Sequence, residues 1–119
     1  MQGHRIVIPF HVPGTLGANI VITWTACFDG RVKHISAVGS NANNGLLIFG
    51  ISTNTDSILA SASIGDSNTP VEFDVDNWAT TNATGAFSKG EILVATLDYD
   101  GAGGTATDDF TLVITVLDG

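Results

Sequence analysis

The strongest constraint on how this chain folds is a pair of runs in which apolar residues recur at every second position. In "NIVITWTACF", Ile20, Ile22, Trp24, Ala26 and Phe28 fall on one side, with Val21, Thr23, Thr25 and Cys27 on the other. In "DFTLVITVL", Phe110, Leu112, Ile114 and Val116 alternate with Thr111, Val113, Thr115 and Leu117. A period of two is that of a strand, whose successive side chains leave opposite faces. Both runs are rich in β-branched residues, which suit a pleated surface. They predict strands with one strongly buried face. "EILVATLDY" reads as a third strand, apolar on both faces.

Weaker strands are predicted in "RIVIPF", "RVKHISAV", "GLLIFGI" and "VEFDV". Pro9 marks the first as an edge strand or a strand end, because proline cannot donate to a ladder. The segment "SILASAS" is read as one helical turn. Turn-forming clusters separate these runs, among them "FDGR", whose Asp-Gly is a two-residue hairpin signal. Seven or eight short strands divided by turns predict an all-β fold. The expected architecture is a single-domain antiparallel β-sandwich, jelly-roll-like, over residues 1–119. Residues 1–12 are read as an extended N-terminal arm, and the loop at 79–90 as the other loose segment.

Composition narrows the function classes. At 119 residues the chain suits one domain with a real core. Charged residues make up 13%, about half of the usual ~25%, and 14 glycines supply turns. Net charge is −8, divided unevenly: +2 over residues 1–40, with Arg5, Arg31 and Lys33 against Asp29, and −10 over residues 41–119. Nucleic acid binding needs a field of Lys and Arg to displace counterions from phosphates. Four basic residues do not make one, so neither nucleic acid nor an anionic membrane is an expected partner. No run approaches the roughly 18 apolar residues of a membrane span, and "MQGHRIVIPF" does not read as a secretory signal. The product is expected to be soluble and made in a reducing cytoplasm.

Chemistry is thinly represented. Cys27, the only cysteine, lies in an apolar run and reads as a small buried hydrophobe. His4, His11 and His34 lack metal-ligand spacing. The stretch "LDYDGAGGTATDD" is the one candidate metal loop. Asp98 and Asp100 have the first spacing of a helix–loop–helix calcium site, and Asp109 stands at the twelfth position. Gly101, however, comes two residues early, and the terminal Glu is missing. The simpler reading is a glycine-rich hairpin connection whose aspartates serve turns. No metal, cofactor or catalytic residue is expected, and the chain does not read as an enzyme. Trp24 lies on a predicted core face. Trp78, in "VDNWATTN", is open to two readings, a lid over the end of the sandwich or an exposed platform for a sugar.

From "HISAVGSNANNGLLIFGISTNTD" through "IGDSNTPVEFDVDNW" to "LDYDGAGGTATDDFTLVITVLDG", roughly residues 30–119, the chain resembles the head decoration (cement) proteins of tailed bacteriophages. These are small, acidic, β-rich proteins bound outside the major capsid shell. The resemblance implies a structural virion protein on the capsid outer surface that binds the major capsid protein and holds neighbouring capsomers together. It implies no catalytic residues. A homo-oligomer is expected, with a trimer as first choice because shell lattices offer three-fold points. The positive N-terminal part is expected to face the capsid through His4, Arg5, Arg31, Lys33 and His34. The alternative is a carbohydrate-binding or adhesin-like sandwich, with the phage tail as one place for it; an exposed Trp78 and a calcium-loaded aspartate loop would favour it.

Overall fold

The computed structural model describes residues 4–119. Among the described residues nine strands are present: β1 (Arg5–Thr15), β2 (Ile20–Thr25), β3 (Gly30–Val38), β4 (Leu46–Ile51), β5 (Asn54–Ser63), β6 (Val71–Asp74), β7 (Ala86–Phe87), β8 (Ile92–Asp98) and β9 (Asp108–Asp118). They form two antiparallel sheets. Sheet A runs β1-β9-β3-β6, with β7 also on β3, and sheet B runs β2-β8-β4-β5. The pairings β1/β9, β2/β8, β3/β6 and β4/β5 are nested, as if one long hairpin had been rolled over two layers. That is the jelly-roll arrangement, and the expected all-β sandwich is what the chain forms.

The inner faces follow the alternation. In sheet A, Ile8, Ile114, Ile35 and Phe73 share one cross-strand row. In sheet B, Ile22, Ala95, Phe49 and Leu59 share another. Phe110, Leu112, Ile35, Leu47, Phe49 and Ile58 are fully or almost fully buried between the sheets. Turns gather at two ends. One holds the β1–β2, β3–β4, β5–β6 and β8–β9 connections, joined by bonds such as Leu16 N–H to Thr107 O, Gly39 N–H to Gly65 O and Asn44 N–H to Thr105 O. The other holds the remaining connections and the C-terminus, where Gly119 N–H donates to Asp29 O.

Several expectations need correction. Residues 5–12, read as part of an arm, are most of β1 and pair with β9 from Arg5↔Leu117 to Val12↔Phe110; residues 1–3 of that arm lie outside the described residues. Pro9 does mark an edge strand. The bond from Asp118 N–H to His4 O fixes the phase, so that odd-numbered residues of β1 turn their backbone groups outward, and Pro9 forfeits no internal bond. "SILASAS" is not helical but lies in β5. Its register shifts against β4 on either side of Phe49, so Ser57, Ile58 and Leu59 are buried in succession. A bulged strand of this kind loses the period-two pattern.

The Asp-Gly of "FDGR" does not make a hairpin, because β2 and β3 belong to different sheets. Gly30 is demanded by close approach instead: a Cβ there would collide with the Leu117 carbonyl oxygen and lie 2.9 Å from the Phe87 ring. Cys27 is exposed, one residue beyond the buried Ala26, since β2 has ended and nothing covers its second face. The loop at 79–90 contains a 3-10 turn, Thr80–Asn82, and the short strand β7.

Core depth differs along the sheets, and this sets an expected outcome. Phe110 is fully buried at the centre, whereas Trp24 on edge strand β2 is only partly buried, against Phe28 and Phe87 at 5.8 and 5.7 Å. In denaturant unfolding, Phe110→Ala should cost ~3–5 kcal/mol and Trp24→Ala distinctly less. Equal losses would mean that the β1–β2 side is as closed as the middle.

Candidate functional site

The residues expected to contact a capsid lie far apart in sequence, and sheet A brings most of them together. Arg5 and Arg31 both pair with Leu117, from either side of β9. In β3 the register shifts between Val32 and His34. This bulge inserts Lys33 as an extra residue, so the inward Val32 is followed by an exposed Lys33 and by His34 opposite Thr115. A bulge re-aims side chains in this way. Without it, strict alternation would send His34 into the core.

The outcome is an open depression of about 400 Å3 lined by Arg5, Lys33, His34, Asp74, Val75 and Thr115. A second depression of about 190 Å3 adjoins it, sharing Lys33 and Val75 and adding Arg31 and Thr84. Three of the four Lys and Arg residues in the chain thus meet along one groove. Val75 adds an apolar surface, 55% exposed. His34 Nε2 lies 2.9 Å from Glu72 Oε1, so one acid on β6 engages the histidine beside the groove. His4 is exposed, and its carbonyl accepts from Asp118 N–H; it does not line either depression. Asp74, Val75 and Thr115 were missed by sequence reasoning. The only available signal was the β-like "VEFDV", whose pairing with β3 no local pattern declares.

The groove can offer charge-assisted hydrogen bonds to carboxylates, with guanidinium groups able to grip both oxygens at once. Asp74 and Glu72 at its β6 side leave it amphoteric rather than uniformly positive.

The aspartate loop has a different role. It does not close a hairpin, because β8 and β9 lie in different sheets. It is bound by the asparagines of "SNANNG". Asn44 Oδ1 accepts from Thr105 N–H at 2.8 Å, Asn41 Nδ2 donates to Ala106 O at 2.9 Å, and Asn41 Oδ1 accepts from Asp108 N–H at 3.0 Å. Asn43 donates to the carbonyls of Asn41 and Gly65 and accepts from Gly45 N–H, while the buried Thr107 hydroxyl donates to Tyr99 O at 2.9 Å. Asp100 accepts from Ala102 N–H within its own turn. Among the described residues no three His, Cys, Asp or Glu side chains are grouped to hold a metal ion.

Asp109 sits at φ +49°, a left-handed conformation that Asp tolerates better than most residues. Its Oδ1 accepts from Gly14 N–H at 2.7 Å and its Oδ2 from Ser40 Oγ at 2.8 Å. One carboxylate therefore ties β9 to the bulge of β1 and to the β3–β4 loop. The Gly14 amide, the Ser40 hydroxyl and then the charge of His11 hold its carboxyl below the ordinary range. Trp78 is buried in the core cluster; of its two readings the exposed sugar platform is the one the structure contradicts.

Two outcomes follow from these contacts. Asn43→Ala should destabilise the fold by about 2–3 kcal/mol, since it strands part-buried partners; a loss below the error of chemical denaturation would refute its role in holding the β3–β4 loop to Gly65. Because the folded-state pKa of Asp109 is depressed, its contribution is present above the unfolded value near ~3.9 and is lost as pH falls through the folded value. Asp109→Asn should therefore flatten the fall in melting temperature below about pH 4. An acid limb identical to that of the parent would contradict this.

No protein-family model matches the sequence, and a search of curated proteins finds no match. Among solved structures, a chain of the cyanophage Pam1 capsid asymmetric unit is similar, with a TM-score of 0.57 at 11% identity, over 99% of this chain and 87% of that one. A chain of desmodium yellow mottle tymovirus aligns over 98% of this chain and 87% of its own at 13% identity, but with a TM-score of only 0.37. The likeness to the cyanophage chain is one of fold, a jelly roll matched from end to end.

Proposed function

We propose that the chain is a structural protein of a phage virion that attaches to the outside of the capsid and stabilises contacts between major capsid proteins. The observation that carries this reading is the end-to-end fold likeness to a chain of a phage capsid asymmetric unit. It agrees with the resemblance of residues 30–119 to decoration proteins. The reading is non-enzymatic: the chain acts by binding, and its partner is the major capsid protein. Localisation follows as the virion exterior.

Charge distribution supplies the docking face. Asp66, Asp98, Asp100, Asp108 and Asp109 lie at or beside the loop end that contains no Lys or Arg, while Arg5, Arg31 and Lys33 line the groove of sheet A. This orientation supposes a shell with an acidic exterior, which would repel the first surface and accept the second. Exposed ion pairs are worth only about 0–1 kcal/mol each, so the groove orients the protein and makes binding sensitive to salt.

The test is co-sedimentation with undecorated heads. Wild type should bind, and an Arg31→Gln/Lys33→Gln pair should bind several-fold more weakly with a shallower dependence on salt. Failure of wild type to sediment with heads sinks the role itself. If the double variant binds like wild type while Asp100→Asn abolishes binding, the proposed orientation is upside down.

A further inference from the structure

The two long sides of the sandwich are finished differently. On the β5/β6 side the gap between the sheets is filled: Ile58, Leu59, Phe73 and Trp78 are all buried, and Ala79 N–H donates to Ile58 O at 2.7 Å. On the β1/β2 side it is not. The inward residues of both strands, among them Ile8, Phe10, Ile22 and Trp24, are only partly buried. Between them runs an apolar slit reaching the buried Phe49 and Leu93. Its free volume is about 10 Å3, room for hardly more than one water. A slit this narrow takes no ligand; it needs a cover.

The strand edges differ as well. An exposed edge is normally blunted by proline, charge, a bulge or shortness. Edge β1 has Pro9 in an outward position and a bulge near Gly14. Edge β5 is bulged and carries Asp56, and β6 has four residues with Glu72 and Asp74. Edge β2 has none of these devices. It is six residues, "IVITWT", uncharged and paired to β8 without a register shift. The bond from Ala26 N–H to Glu91 O sets its phase, so Val21, Thr23 and Thr25 turn their N–H and C=O groups outward. Val21 is also 62% exposed.

We infer that a second copy of this chain adds along the free edge of β2 and covers the slit. Charge permits a self-contact on this side: two chains at −8 repel through most of their surfaces, but residues 5–25, which supply both β1 and β2, include no carboxylate. The free edge of β2 is six residues, about 20 Å of strand, and the half-buried inward residues of β1 and β2 beside it add apolar surface to the contact. The edge is complementary to itself when run antiparallel, so a two-fold pair is its simplest closure.

The experiment is sedimentation equilibrium on the purified full chain at micromolar concentration, without capsids, so it is independent of the proposed capsid role. Wild type should show at least twice the 12.3 kDa of one chain. Thr23→Pro removes an outward N–H and no internal bond, and should give a folded monomer by circular dichroism. Val21→Lys with Thr23→Lys, at two exposed positions, should do the same and serves where the proline variant fails to fold. A monomeric wild type overturns the inference. So does an oligomer that persists in a folded edge variant, which would place the contact elsewhere.

Discussion

Everything in sheet A depends on β9 lying between β1 and β3. The last strand of the chain pairs with the first on one side and with the third on the other. Neither of those strands has another route into the layer, since β1 is an edge and β3 reaches only the short β6 and β7 beyond it. The core is anchored to the same strand: Phe110, Leu112, Ile114 and Val116 are all buried. Contacts between chain ends carry a loop-closure cost before they return any energy. Folding should therefore be slow for the chain's size, as in other sandwiches dominated by non-local pairing. Asn41 and Asn44 work on the same problem, binding the β8–β9 connection to the β3–β4 loop at the place where β9 must enter.

This explains what was legible in the sequence. β2 and β9 were readable because each runs without a bulge over its alternating residues and has one face on the core. β5 was not, because its register shifts bury Ser57, Ile58 and Leu59 consecutively, which mimics a helical stripe. The Asp-Gly pair misled because Gly30 is required by close approach to the Leu117 carbonyl and the Phe87 ring, and not by turn geometry. The aspartate loop looked like chemistry or a hairpin. Its partners are asparagines some sixty residues away, which no local pattern announces.

The candidate site was half legible. Net charge by segment picked out Arg5, Arg31 and Lys33 as the cations worth watching, with His4 and His34 beside them. Their convergence depends on strand order, which places β1 and β3 on either side of β9, and on the bulge that puts Lys33 and His34 on one face. Adjacent polar residues in an otherwise alternating strand are the trace that such a bulge leaves. The acids that border the groove, Glu72 and Asp74, come from β6, and only the tertiary pairing connects them to it.

The groove and the open edge lie on different surfaces, and this separation has a physical consequence. The groove opens on the outer face of sheet A, whereas the slit opens on the long side between β1 and β2. In the proposed assembly, covering the slit leaves every groove free. In the proposed role a single groove would bind weakly, because its ion pairs would be exposed and Asp74 dilutes its charge. Joined copies present several grooves at a fixed spacing, so each binding event after the first is intramolecular. Such linkage can raise overall affinity by about 10²–10⁴ without a new contact, provided the geometry matches the spacing of the sites. A repeating shell supplies that spacing, and a single acidic protein in solution does not. Weak grooves on a neutral-edged oligomer thus favour a lattice over free acidic proteins.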